Sequence, residues 1–246
     1  VALLVPALVL MAWQAITALG FLPPLVLPTP DSVVAALRDM ATSGDLAANL
    51  GISLQRAVLG FAAGAAAGLL TGATIGLSRT VEALLRPSLT AFVQVPVLAW
   101  IPLLMIPFGI GETLKLVAIG MAAFTPVVLN TAKGFRQVPQ GLVEIGTVYR
   151  LTAVQRIVHI LLPGALPVVF TGLRLGLTSA WHSLVVVELV ASTEGIGYMA
   201  VMARQMFQLD VMLATMVVIG IVGFTLDRSL RGAEVALARR YGAVAA

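Results

Sequence analysis

Thirty residues pass before the first ionisable side chain, Asp31. Charges then recur only at wide intervals. There are 22 uncharged residues between Arg56 and Arg79, 25 between Arg86 and Glu112, 17 between Lys115 and Lys133, and 16 between Asp210 and Asp227. An ionised group at bilayer depth is costly, and a crossing helix takes roughly 20 apolar residues, with about 17 as a lower limit. The spacing therefore predicts six spans, approximately 1–21, 57–78, 87–111, 115–132, 163–187 and 211–227. Arg174 interrupts the fifth, and the fourth and sixth need a charged residue at the interface, where a long side chain can snorkel.

Composition agrees. Charged residues make up 11% of the chain, less than half the roughly 25% of a soluble domain, and the mean hydropathy is +1.02. These values exclude an ordinary water-soluble enzyme and a disordered chain, and the lack of cysteine excludes a disulfide scaffold. Only 6% of residues are aromatic while glycine numbers 23, a profile of closely packed helices rather than of a barrel with aromatic girdles. The expected fold class is an all-α membrane protein. Position 1 is not methionine, so natural sequence is expected before Val1. Val1–Phe21 has neither a basic leader nor a small-residue cleavage site, so no removable signal peptide is expected.

Lysine and arginine set the orientation. With the N-terminus inside, eleven of the fifteen basic residues fall on the inner side, including Arg79, Arg86, Lys133, Arg136, Arg239 and Arg240. The inner side then carries +7 and the outer side −3. Both termini are expected in the cytoplasm, and the pI near 10.1 reflects topology more than nucleic-acid binding. Outside the spans, Asp31–Asn49 reads as a short external amphipathic helix opened by Pro30 and Asp31. Residues 133–162 form the longest internal segment, and 192–210 an external loop with a short helix ending at Leu209. One fold unit, 1–246, accounts for the chain.

Glycines at 60, 64, 68, 72 and 76 form a stripe along the second span, which predicts close backbone contact with another helix. The third span holds Pro96, Pro102 and Pro107. It reads either as a kinked packing helix or as a pathway-lining one, with Gln94 and Trp100 as contacts. The fifth span is the most polar, with Thr171, Arg174, Thr178, Ser179, Trp181, His182, Ser183 and Glu188. Arg174 either snorkels inward or meets an anionic solute. His182 is either an interhelical donor or a solute contact, and with Trp181 it could form a gate. Glu188 is expected near the outer end. The pathway candidates are thus Gln94, Trp100, Arg174, Trp181, His182 and Glu188. No catalytic or zinc constellation is present, and no G-x-x-x-x-G-K-[ST] loop can cradle ATP. No metal or cofactor is expected in this chain, and energy from ATP must come through a partner.

The internal segment from Glu144 to Pro167 is amphipathic, basic and ends in prolines. On its residues alone it is a cytoplasmic surface helix or helix pair. It also resembles the EAA loop of ABC-importer permeases, which begins E-A-A, has a glycine six residues after the glutamate, and ends L-P-x-x-x-P. Glu144, Gly146, Leu162, Pro163 and Pro167 keep that spacing, while Ile145 replaces the first alanine, Gly146 the second, and Arg150 the glycine. The resemblance covers nearly the whole chain and is closest to permeases of the nitrate/sulfonate/taurine/bicarbonate group. It is carried further by Leu27-Pro-Thr-Pro-Asp-Ser-Val33, Gly76-Leu-Ser-Arg79, Phe108-Gly-Ile-Gly-Glu112, Phe124-Thr-Pro-Val-Val-Leu-Asn-Thr131, Gly172-Leu-Arg174 and Gly195-Ile-Gly-Tyr198.

The resemblance implies the six-span type I importer permease fold in a bacterial inner membrane. It implies two copies of the chain around a pathway, two separate ATPase subunits holding ATP and Mg, and a soluble external binding protein. Glu144, Gly146, Thr147 and Arg150 would couple to the ATPase, with Pro163 and Pro167 orienting the fifth span. The solute would be a small anion, an aliphatic sulfonate or taurine first, with nitrate, bicarbonate or a vitamin precursor as alternatives. A secondary transporter would show an inverted repeat, and a channel a selectivity constriction. Neither is recognisable in the sequence.

Overall fold

The computed structural model describes residues 4–23 and 26–241. Residues 1–3 of the first expected span, the terminus at 242–246, and the side chains of Arg239 and Arg240 lie outside that description. Every regular element among the described residues is helical. In chain order the helices are α1 (Leu4–Ala18), α2 (Pro30–Ser43), α3 (Asp45–Leu77), α4 (Arg79–Gln94), α5 (Val97–Phe108) and α6 (Glu112–Arg136). They continue as α7 (Gln140–Val148), α8 (Ala153–Arg156), α9 (Leu162–Ala191), α10 (Ile196–Gln205) and α11 (Leu209–Tyr241), with a π-helical turn, Ile157–Leu161, joining α8 to α9.

Among the described residues, four helices are long and apolar enough to cross a bilayer: Asp45–Leu77, Glu112–Arg136, Ala153–Ala191 and Leu209–Gly232. The bent pair α4–α5 is a fifth if its two helices count as one span, and α1, at 15 residues, is a shorter apolar helix. The helices outrun the spans drawn from charge spacing. Arg56 was expected to end a span, but it lies inside α3 at 3% exposure, because the Glu112 carboxylate neutralises it. The span expected over 87–111 with a proline kink is two helices at 98°. Pro96 has no N–H for the ladder and holds Val95 in the extended region, at φ −90° and ψ 115°, so the helix ends at Gln94. Pro163, expected to close a surface helix, lies within a continuous helical run from 153 to 191. The preceding π turn, in which the Leu162 amide donates to the Ile157 carbonyl, widens the helix where the ring must fit.

The chain divides into two compact units. The first comprises residues 1–55 and 185–222. Its α2 starts as the sequence indicates: Thr29 caps it by accepting from the Ser32 amide at 3.2 Å, Pro30 takes the first helical position, and Gly44 ends it at φ +87°. Val33, Ala36 and Met40 of α2 pack on Ala214, with Trp13 and Leu37 around them. The Trp13 indole N–H donates to the Pro28 carbonyl at 3.0 Å.

The second unit comprises residues 56–184 and 223–246. Its organising contact is the glycine stripe. A Cβ on Gly60 would lie 2.6 Å from Ile119, on Gly68 2.9 Å from Val127, on Gly72 2.6 Å from Thr131 and on Gly76 2.7 Å from Phe135. At Gly64 it would strike the backbone carbonyl of Gly120. The partners ascend α6 as the glycines ascend α3, so the two helices run parallel. Residues 78–111 must then carry the chain back along them, and α4–α5 provides that return. On its other side α6 meets α9 in descending order. Gly172 closes on Asn130 at 2.7 Å and Gly176 on Val127 at 2.7 Å, which makes α9 antiparallel. Leu114, Ala118, Ile119, Ala123, Val127 and Val128 of α6 are completely buried.

Gly64→Ala should lower the thermal stability of the purified protein by about 1–3 kcal/mol, the scale of overpacking against backbone that cannot turn aside. Gly51→Ala, where a Cβ meets nothing within 4 Å, should leave it unchanged or slightly raised. Melting curves in one detergent compare the two.

Candidate functional site

Between α6 and α9 the chain forms a tight helical hairpin, 140–156. Its turn is built from backbone bonds: the Arg150 amide donates to the Thr147 carbonyl and the Leu151 amide to that of Gly146, both at 2.9 Å. This is the Schellman closure, which places its pivotal residue in the left-handed region and favours glycine there. Arg150 occupies that position at φ +53°, where the importer-loop pattern has glycine. The next helix starts at once. The Thr152 amide donates to Gln155 Oε1 at 2.9 Å and the Gln155 amide to Thr152 Oγ1 at 3.3 Å, a reciprocal cap.

Gly146 is buried where α7 lies against the π turn. A Cβ there would be 2.7 Å from Ile160 and 3.1 Å from Arg156. The other face of the hairpin is bare. Val148 is 80% exposed, Tyr149 76%, Val154 69% and Ile145 51%, and Glu144, Thr147 and Arg150 are exposed beside them. An apolar tip rimmed by polar groups on a rigid turn has the form of an interaction surface. Pro163 and Pro167 stand at the base of the helix that rises from it, both half-buried.

The pathway candidates fall into separate local environments. Gln94 is exposed at the last residue of α4. Trp100, in α5, is half-buried, with its ring 5.6 Å from that of Phe92, and Phe92 meets Phe124 edge-on at 6.1 Å. His182 is exposed on α9, whereas Trp181 is buried at 1% exposure with its indole over Gly223.

Arg174 joins α9 to α11. Its Nε and one terminal nitrogen donate to the two Asp227 oxygens at 2.8 and 3.1 Å, and its other terminal nitrogen to Glu234 Oε2 at 2.8 Å. The Thr171 hydroxyl completes the group by donating to Glu234 Oε1 at 2.6 Å. Burial raises the Glu234 pKa, but the bonds from Thr171 and Arg174 outweigh it and hold the carboxyl below its ordinary range.

Glu188 is 1% exposed. It accepts from the Ser53 hydroxyl at 2.8 Å and from the Gly197 amide at 2.9 Å, while Ser53 Oγ in turn accepts from the Ile196 amide. Asn49 adds a bond from the Gly195 amide, so the loop before α10 is anchored through side chains of α3 and α9. Gly195 sits at φ +103°, and a Cβ there would collide with the Glu188 carboxylate.

Asp227, Glu234 and Ser53 were not singled out from the sequence, although Asp227 and Glu234 stand seven residues apart and so on one helix face. That spacing is a signal for a cationic partner. The pairing of Glu112 with Arg56 and Lys115, at 2.6–2.7 Å, had no such signal for its longer link, which joins positions 56 residues apart.

Arg150→Gly should raise thermal stability by about 1 kcal/mol, because a left-handed side-chain-bearing residue costs roughly 1–2 kcal/mol and glycine's looser unfolded chain returns part of the gain. Glu188→Ala should lower it by about 1–3 kcal/mol by stranding buried donors. Thermal unfolding of each purified variant tests both.

Comparison with known proteins completes the picture. Residues 60–242 match the family model described as binding-protein-dependent transport system inner membrane component. A Bacillus subtilis relative that carries the name of an aliphatic sulfonates transport permease protein, SsuC, is 41% identical over 93% of this chain and 83% of its own length. The taurine transport system permease protein TauC of Escherichia coli is 36% identical over 97% of this chain and 88% of its own. In structure, the chain is similar to one from the inward-facing MetNI methionine ABC transporter, with a TM-score of 0.60, covering 77% of this chain and 92% of that one. At 20% identity this last likeness is one of fold. With three-quarters of its residues inside one family model and several helices able to cross a bilayer, this chain is a multi-pass inner-membrane protein of the binding-protein-dependent transport permease family, in its sulfonate/taurine/bicarbonate group.

Proposed function

We propose that the chain is the membrane-spanning subunit of an ATP-driven importer for an aliphatic sulfonate or taurine. The names of its relatives support the solute class. The positive-inside distribution supports six crossings with both termini in the cytoplasm, α1 being the first and α4–α5 the third. A second copy of the chain would complete the pathway, and a soluble binding protein would deliver solute from outside. Two ATPase subunits would hold ATP and Mg.

The observation that carries this reading is the hairpin tip. Val148 and Tyr149 are more than three-quarters exposed on a turn fixed from both sides by hydrogen bonds. Aromatic anchors ringed by polar groups are what a protein groove takes up. In this reading Glu144, Thr147 and Arg150 contact the ATPase, and Gly146, Pro163 and Pro167 fix the hairpin to α9. ATP then shifts the permease only as far as it favours the ATPase state that grips the hairpin more tightly. Gln94, Trp100 and His182 are the solute contacts, and Arg174, Trp181 and Glu188 hold their helices in place.

The double variant Glu144→Lys with Arg150→Glu should cut both uptake and solute-stimulated ATP hydrolysis by about tenfold or more, the scale of a lost interfacial anchor, with membrane expression unchanged. Unchanged uptake and hydrolysis would overturn the coupling role. The chain has no cysteine, so a single thiol at Thr147→Cys reports alone. It should react only from the cytoplasmic side and be protected when the ATPase is co-expressed.

A further inference from the structure

Between α4 and α6, at the end of the bundle where the glycine stripe finishes, lies a cavity of about 420 Å³. Its polar wall carries Arg86, Lys133 and Arg136 against a single carboxylate, Glu82. That carboxylate does not balance them. Arg136 takes it up closely and places its other nitrogen on the Ile75 carbonyl at 2.9 Å. Arg86, 75% exposed, reaches the same oxygen only at 3.4 Å. Lys133 is exposed and ion-pairs with no described residue. The wall keeps two positive charges in excess, while Ile75, Leu89, Val128 and Leu129 supply most of its hydrocarbon and Thr90 and Gln137 add neutral polar groups.

A free anion in water gains nothing from four aliphatic side chains. A phospholipid does, since its phosphate satisfies the cations while its acyl chain covers the apolar wall. Leu129, 48% exposed at the cavity, opens that wall outward. Basic pockets between spans on the cytoplasmic side are suited to anionic head groups. We infer that this cavity holds the phosphate of an anionic phospholipid from the inner leaflet, with Arg86 and Lys133 as its cationic contacts. The side of the membrane rests on the topology given under Proposed function.

Native mass spectrometry of the purified chain tests this, using micelles doped equally with phosphatidylglycerol and phosphatidylcholine. The unmodified chain should retain phosphatidylglycerol in preference by about fivefold or more, as expected for cations that each contribute about a fivefold factor at a membrane surface. Arg86→Gln with Lys133→Gln should abolish the preference, and Arg228→Gln with Arg231→Gln, outside the cavity, should keep it. If the first pair does not fold, Lys133→Gln alone, which breaks no ion pair among the described residues, should still reduce the preference. Equal retention of both lipids, a preference unchanged by the cavity variants, or loss of bound phosphatidylglycerol to excess methanesulfonate would overturn the inference. Labelling of the Thr147→Cys thiol from outside would sink the topology instead, and would leave the lipid preference standing.

Discussion

The approach of α3 to α6 governs the arrangement of residues 56–184. Five glycines at four-residue spacing remove the side chains that would hold the two helices apart, and at Gly64 the contact is backbone against backbone. Helices in lipid gain little from burying apolar surface against one another, since the solvent is already apolar. Close contact and hydrogen bonds must hold them together. The stripe provides contact along more than four turns, and it fixes direction as well as distance. Once α3 and α6 are parallel, the segment between them has to return, and a proline-broken pair of helices is what returns it.

Among the described residues, the buried charged groups Arg56, Lys115 and Glu188 and the half-buried Arg174 all have polar partners. Arg56 and Lys115 share Glu112, Arg174 is held by Asp227 and Glu234, and Glu188 takes donors from Ser53 and Gly197. Each group ties helices or loops that are distant in sequence, with much stronger directionality than packing alone. An intramembrane ion is costly unless matched, so losing one partner would damage more than the one contact.

Much of this was legible beforehand. The charge spacing pointed to several apolar helices able to cross a bilayer, the glycine period announced a close helix contact, and Pro30 with Asp31 marked the start of α2. A helix pair was one of the two forms expected of the amphipathic segment from Glu144 to Pro167, and α7 with α8 is such a pair. Less legible was anything that depends on two distant positions. Arg56 looked like the end of a span because its neutralising partner is 56 residues away. The prolines at 96 and 163 signal a disturbance alike, yet one breaks a helix through 98° and the other is absorbed by a π turn. Local sequence does not say which, because the outcome depends on whether the neighbouring carbonyls can shift.

The continuity of helix through Pro163 has a mechanical side. From Ala153 to Leu184 the run is 32 residues, or about 48 Å at the α-helical rise. A bar of that length pivoting by about 5° moves its far end by about 4 Å. The π turn at Ile157–Leu161 interrupts its regular α-helical ladder close to the tip rather than in the middle. A thrust on the short arm therefore divides between bending that elbow and swinging the long arm. The stiffness of five residues sets how much of a push at the hairpin reaches the far end of the helix.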